Sequence, residues 1–189
     1  IIRFFSLTRK GFPVKHLGKR FMIMLKIAFG QTKIFRRPVI GFFHAMVFWG
    51  FCIILFGSIE MVIDGLFNME KSLSFPGGFY KFLMAFGDIF ALLVAISIVI
   101  FLIRRIFLHI KRFEGIEMKE ISHIDANAAL TMILILMLSL MGMNAAYVRH
   151  AFLTGTVTQA TYPISEHLTG LFAGMSADKA FTMYQIFWW

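Results

Sequence analysis

Long apolar stretches alternate with short basic or polar segments along this chain. Three stretches, 39–59, 82–103 and 128–148, carry almost no charged residues. An α-helix rises about 1.5 Å per residue, so each stretch can cross a hydrocarbon core about 30 Å thick. A fourth apolar run extends from Ala180 to the last residue, Trp189. The pattern predicts an all-α membrane bundle with helices at about 39–64, 80–104 and 126–148, and a truncated one from 179 onward.

The composition supports a membrane protein and gives it an orientation. Hydrophobic residues make up 59% of the 189 residues, and the mean hydropathy is +0.78. Ten of the 19 Lys and Arg residues lie in 1–37 and five lie in 104–119, while 65–81 and 149–179 hold two each. Basic loops stay in the cytoplasm, so the first two segments are expected there and the other two outside. The net charge of +9 therefore reflects membrane topology, and we predict no nucleic-acid partner.

Two regions with different roles follow from this topology. Residues 1–37 form a basic segment in which 14–29 reads as an amphipathic helix in the cytoplasmic headgroup layer. Residues 38–189 form the membrane domain, with Pro38 suited to the first turn of its first helix. A short helix lying on the outer surface is expected around Ile164–Met175. Because the chain lacks an initiator Met and stops within an apolar run, we expect it to continue beyond both ends.

His44 is the ionisable side chain of the first span. At 100° per residue it shares a stripe with Phe48, Phe51 and Leu55, whereas Gly50 and Gly57 lie on roughly the opposite side. The glycine face is typical of a close helix contact. An imidazole on an aromatic face suits an axial ligand of haem b iron. The alternative is a histidine hydrogen-bonded to a neighbouring helix or to water.

His150, at the outer end of the third span, is the other membrane histidine of interest. It could ligate a second haem, or it could be an interfacial anchor. No histidine within the spans shares a depth with His44. A bis-histidine haem therefore needs a second ligand outside this sequence.

Three acidic side chains approach the outer leaflet. Glu60 and Asp64 end the first span, and Asp88 lies about two turns into the second. Carboxylates at this level can accept the protons released when a quinol is oxidised. The alternative for each is an ordinary helix-end acid in contact with water. We predict no catalytic residue in the narrower sense.

Several motifs together carry a family resemblance. They are "AFGQTKIFRRPVIGFFHAMVFWGF", "IDGLF", "YPIS" at 162–165, "LFAGMS" at 171–176 and the closing "WW". With them the chain resembles the membrane domain of bacterial iron–sulfur oxidoreductases related to heterodisulfide reductase. That domain is similar to the cytochrome b (gamma) subunit of respiratory nitrate reductase.

The resemblance implies a bundle of about five helices in the bacterial inner membrane. Such a domain carries haem b and exchanges electrons between menaquinone or ubiquinone and an iron–sulfur partner on the cytoplasmic side. Only His44 matches a haem-ligand position of the family, and further histidines follow the paired tryptophans there. The second histidine of the nitrate reductase helix is replaced by the "CIILF" neighbourhood, which counts against a second haem. Iron–sulfur clusters are expected only in a further domain or a partner subunit, because the chain has a single cysteine, Cys52.

The competing interpretation is a non-redox protein. An anchor or transporter-type scaffold subunit of a larger complex would also consist of apolar helices with basic cytoplasmic loops.

Overall fold

The computed structural model describes residues 16–69, 71–74, 77–107, 120–158 and 160–188. Residues 1–15 of the basic segment and residues 108–119, most of the predicted cytoplasmic loop, lie outside these residues. The helices, in chain order, are α1 (Leu17–Ala28), α2 (Pro38–Phe67), α3 (Gly78–Phe107), α4 (Glu120–Thr154), α5 (Ser165–Leu168) and α6 (Ala177–Trp188), with 3-10 turns at Ile34–Arg36 and Thr169–Phe172. No strand occurs in the described part of the chain, and the all-α prediction is confirmed.

Helices α2, α3 and α4 are long and apolar enough to cross a membrane. Their most apolar parts have mean hydropathies of 2.3, 2.8 and 2.0. Each helix extends beyond the span predicted for it, by one to six residues at each end. The structure therefore has the dimensions of a multi-pass membrane protein.

The chain divides into two compact units, residues 1–42 and residues 43–189. In the first unit, α1 falls within the predicted amphipathic segment, and none of its residues is buried. Pro38 is the first residue of α2, as predicted. Three residues later Gly41 lies against the turn at Ile34, where a Cβ would overlap the Ile34 carbonyl group.

In the second unit, α2 contacts α3 through its glycine face. A Cβ at Gly50 would overlap Cγ2 of Val94 and lie 3.3 Å from the Phe90 ring. A Cβ at Gly57 would lie 3.9 Å from Met84. The predicted glycine contact is confirmed, because α3 side chains occupy the space that larger residues on this face of α2 would fill.

Helix α4 packs between α3 and α6, and the connection after α4 folds back onto it. The predicted short helix is present as α5, and within 164–175 only Ser165 and Phe172 are buried. Phe172, in the turn that follows α5, packs on Ala145 and Ala146 of α4. The connection thus lies on the surface of the bundle with one side packed against it; its position at the outer leaflet stays a prediction.

Candidate functional site

The bundle has one end at which α2 finishes, α3 begins and α4 finishes; we call it the loop end. The loop after α2 is held there by two carboxylates of that helix. Asp64 accepts hydrogen bonds from the backbone amides of Lys71 (2.9 Å) and Ser72 (3.0 Å). Glu60 accepts one from the Leu73 amide (3.1 Å) and one from the Tyr80 hydroxyl (2.8 Å). Charge-assisted bonds to successive amides fix the loop against α2.

The loop adopts a backbone conformation that turns Lys71 into the bundle. Asn68 and Lys71 have φ angles of 50° and 54°, in the left-handed region that side-chain-bearing residues rarely enter. The bonds to Asp64 compensate for that cost at Lys71. The Lys71 ammonium is left half-buried, 5.2 Å from the ring centre of Tyr147 on α4.

Asp88 of α3 anchors the second loop, the one that leads into α5. Its carboxylate accepts hydrogen bonds from the amides of Ile164 (2.8 Å) and Ser165 (2.9 Å). The Ser165 hydroxyl and the Asn144 side chain, at 3.3 Å, donate to its other oxygen. Asp88 is only 1% exposed, so an unpaired charge there would be costly, and these four donors satisfy it.

A hydrogen bond joins the two anchored loops. The Lys71 ammonium donates to the hydroxyl oxygen of Tyr162 over 3.1 Å. Burial on its own would lower the pKa of Lys71, but Tyr162, Tyr184 and Glu60 outweigh it and raise the pKa above the ordinary value. Burial raises the pKa of Tyr162, and the nearby ammonium opposes that rise only in part. The pair is therefore an ammonium and a protonated phenol at neutral pH.

A cleft lies between α2, α3 and α4 beside this pair. Its empty volume is about 500 Å³, part of it open to the surroundings. Apolar side chains form most of its wall, and polar groups gather toward the loop end. The polar groups are Ser58, Glu60, Lys71, Asp88, Asn144 and Tyr162. The apolar residues are Ile53, Ile54, Met61, Leu83, Met84, Leu140 and Met143.

His150 lines a second cavity, which also borders Lys71. The cavity has an empty volume of about 420 Å³ and is bounded also by Tyr147, Phe181 and Tyr184. The His150 ring lies 5.2 Å from the ring of Phe181, centre to centre. Lys71 is thus shared by the two cavities.

His44 lies on the exposed face of α2, away from the cleft. Its ring meets the ring of Phe101 on α3 edge-on at 5.9 Å. Phe51 and Leu55 of the same stripe are 62% and 43% exposed, so the described part of the bundle leaves this face open. One imidazole beside aromatic side chains fits a single axial ligand of haem. No group of three or more metal-ligating side chains occurs among the described residues.

The structure brings some of the predicted site residues together and separates others. Glu60 and Asp88 line the same cleft, whereas Asp64 holds the loop beside it. His44 and His150 belong to different surroundings. Sequence reasoning missed Lys71, Tyr162 and the donors to Asp88. The "YPIS" motif was a usable signal for the second loop, because it contains Tyr162, Ile164 and Ser165.

Two curated proteins are similar to this chain. The EtfAB:quinone oxidoreductase of Syntrophomonas wolfei is 23% identical over 181 residues, which is 92% of this chain and 24% of that protein. The probable iron-sulfur-binding oxidoreductase FadF of Bacillus subtilis is 28% identical over 166 residues, 85% of this chain and 21% of that protein. The chain thus spans about a quarter or less of each relative. No family model and no solved structure matches it.

These similarities relate the chain to a group of oxidoreductases. One relative is named for quinone and the other for iron–sulfur binding. Neither name mentions haem.

Proposed function

We propose that this chain is a membrane electron-transfer domain that passes electrons between the quinone pool and a cytoplasmic iron–sulfur partner through haem b. We further propose that the quinone, menaquinone or ubiquinone, binds in the cleft between α2, α3 and α4. The observation that carries the proposal is the composition of this cleft. Its walls are apolar, and its polar groups converge on one end.

The cleft matches the chemistry of a quinone. A quinone has a flat apolar ring with two carbonyl oxygens, and ligand sites of this kind are mostly apolar with a few placed polar groups. The methionines Met61, Met84 and Met143 supply polarizable wall atoms that pack well on aromatic rings. Because the cleft is partly open, a lipid-soluble ligand can enter from the membrane.

The carboxylates around the cleft have distinct parts in this proposal. Oxidation of a quinol to a quinone releases two electrons and two protons. Glu60 faces the cleft and is the carboxylate proposed to take up one of these protons, and the other passes to water through the open part of the cleft. Asp88 also lines the cleft and holds the Tyr162 loop, while Asp64 holds the Lys71 loop. All three residues thus support quinone chemistry, one by proton uptake and two through the loops that they position.

His44 is the residue proposed to hold haem b, as one axial ligand. The haem supplies a one-electron carrier when bound. In the chain itself, the open stripe with Phe51 and Leu55 provides flat apolar side chains beside the imidazole. His150 would serve a second haem only if its cavity beside Lys71 admitted one.

The partner and the location follow from the relatives and the charges. The relatives are named as quinone and iron–sulfur oxidoreductases, and this chain corresponds to a fraction of their length. We therefore propose that iron–sulfur clusters belong to a further domain or subunit. The distribution of basic residues supports the proposal that this partner lies on the cytoplasmic side of a bacterial inner membrane and that the loop end lies outside.

Filling the cleft tests the proposal. Gly87 lines the cleft, and a Cβ there would meet no atom within 4 Å. Gly87→Leu therefore places a side chain in the cleft with little disturbance of the backbone. We expect it to weaken binding of 2-methyl-1,4-naphthoquinone to the purified full-length protein at least about tenfold, measured by equilibrium titration.

Gly174→Leu is the matched control, because Gly174 is also in open space but lies outside the cleft. It should bind the naphthoquinone like the wild type. Equal binding by both variants and the wild type would refute the cleft as the quinone site, and a wild-type protein with no affinity would favour the scaffold alternative.

A further inference from the structure

Tyr162 and Lys71 together close the polar end of the cleft. We propose that the hydroxyl group of Tyr162 donates a hydrogen bond to a carbonyl oxygen of the bound quinone, and that Lys71 is a positioning residue that acts through this hydroxyl. The inference rests on the proposed function, because it assigns the donor atom within the same cleft.

The direction of the Lys71–Tyr162 hydrogen bond leaves the phenol proton free. An ammonium group has only donors, so at the 3.1 Å contact the hydroxyl oxygen of Tyr162 is the acceptor. No hydrogen bond donated by Tyr162 occurs within the described residues. Tyr162 is nevertheless 3% exposed, and it lines the cleft. A buried hydroxyl with an unused proton at a cleft wall is suited to an acceptor oxygen of a ligand.

The position of the Tyr162 hydroxyl is fixed before any ligand binds. Its ring meets that of Tyr147 edge-on at 6.1 Å and packs in a buried cluster with Tyr80 and Ala160. Just after it in sequence, the amides of Ile164 and Ser165 are bonded to Asp88. A donor held in this way loses little entropy when it binds an acceptor.

Lys71 contributes a fixed positive charge to this donor. Its amide is bonded to Asp64, and its ammonium lies 5.7 Å from the centre of the Tyr162 ring as well as on the hydroxyl oxygen. A hydrogen bond accepted from a cation polarises the phenol and makes its own O–H a stronger donor. We therefore assign to Lys71 the polarisation of the Tyr162 hydroxyl group, which it achieves without touching the ligand.

Substitution of each residue alone and of both together tests the inference. In the full-length protein, Tyr162→Phe should weaken binding of 2-methyl-1,4-naphthoquinone about tenfold, the size expected for loss of one good hydrogen bond. Lys71→Met should weaken it less, and Lys71→Arg should restore most of the loss. Because Lys71 acts through Tyr162, Lys71→Met should have no further effect when Tyr162→Phe is already present.

The control variant is Tyr147→Phe. Tyr147 also lies beside Lys71, but it lines the second cavity and not the cleft, so binding should stay at the wild-type value. As a ligand control, 2-methylnaphthalene has the same ring without oxygens, and Tyr162→Phe should not change its binding.

A measurement on the wild type covers the case in which a variant fails to fold. The infrared carbonyl bands of the bound naphthoquinone, labelled with ¹³C at one carbonyl at a time, should show one band moved to lower frequency and the other nearly unmoved. Two unmoved bands would overturn the inference, as would additive effects of Lys71→Met and Tyr162→Phe.

If Gly87→Leu abolishes binding and Tyr162→Phe leaves it unchanged, the inference fails and the proposed function stands. If neither variant changes binding, both fail.

Discussion

The two ends of α2 treat their ionisable side chains in opposite ways. At the loop end, Glu60 and Asp64 together accept hydrogen bonds from three backbone amides and a tyrosine hydroxyl. Near the other end, His44 is exposed, and its neighbour among the described residues is the ring of Phe101. The carboxylates at the loop end are hydrogen-bonded within the chain. The imidazole of His44 is exposed, and its nitrogen atoms can coordinate a metal ion.

This difference distinguishes polar residues that stabilise the fold from polar residues that are available to a cofactor. A buried carboxylate is stable only when several hydrogen-bond donors contact it, and at the loop end most of these donors belong to the two loops. A neutral imidazole costs less in apolar surroundings and remains available to a metal ion. The comparison therefore predicts that loss of His44 affects a bound cofactor, whereas loss of Asp64 or Asp88, which hold the two loops, affects folding.

The largest expected effect is that of His44→Ala. The full-length wild-type protein should show a b-type α band in the dithionite-reduced minus oxidised spectrum, and His44→Ala should abolish it. Because the His44 side chain is exposed, its removal should leave the midpoint of thermal unfolding at the wild-type value, apart from the stability that bound haem itself adds. An α band of wild-type intensity in His44→Ala would remove this histidine from the haem.

His150→Ala is the matched histidine control for this experiment. Its ring packs on Phe181 in the cavity that it shares with Lys71, so we expect the α band to persist. A band reduced to about half its intensity would instead show that His150 ligates a second haem.

The next largest effect is expected from Asp88→Ala. This change leaves the amides of Ile164 and Ser165 without their acceptor, and each orphaned amide costs about 1–3 kcal/mol. The free energy of unfolding should therefore fall by about 2–6 kcal/mol, measured by thermal or denaturant unfolding in detergent. Asp178→Ala, at an exposed position of α6, should change it by less than about 0.5 kcal/mol. Equal stability of the two variants would show that Asp88 does not hold the loop.

Much of the fold was predictable from the apolar pattern. The three spans, the start of α2 at Pro38 and the close approach at Gly50 follow from hydropathy and from the size of a glycine. These features depend on residues near one another in sequence or on one face of one helix. The approach of Glu60, Asp64 and Asp88 to the same end of the bundle followed from counting residues along the spans.

The partners of the acids could not be predicted in the same way. Asp88 binds backbone amides 76 and 77 residues away, and a backbone amide has no signature in the sequence. The inward turn of Lys71 depends on a left-handed backbone conformation that a lysine rarely adopts. Asn144 was the more accessible signal, because an amide side chain within an apolar span needs a polar partner such as Asp88.

The smallest expected effect concerns the charge of Lys71 at the loop end. Because its pKa is raised, the unprotonated amine that reacts with acylating reagents is scarcer than at an ordinary lysine. At about pH 8.5 we expect Lys71 to be acylated at least about tenfold more slowly than the exposed Lys179, measured by mass spectrometry of peptides. Because limited access also slows acylation, the pH dependence of stability must show the same charge.

The raised pKa of Lys71 in the folded protein determines how the unfolding free energy should change with pH. The stability that Lys71 contributes is fully present below the ordinary pKa of lysine, and it is lost only as the pH rises through the raised value of the folded state. The difference in unfolding free energy between wild type and Lys71→Met should therefore stay constant between about pH 6 and pH 9. A difference that shrinks within this range would mean that Lys71 loses its proton there. The loop end would then lack the permanent positive charge that we assign to it.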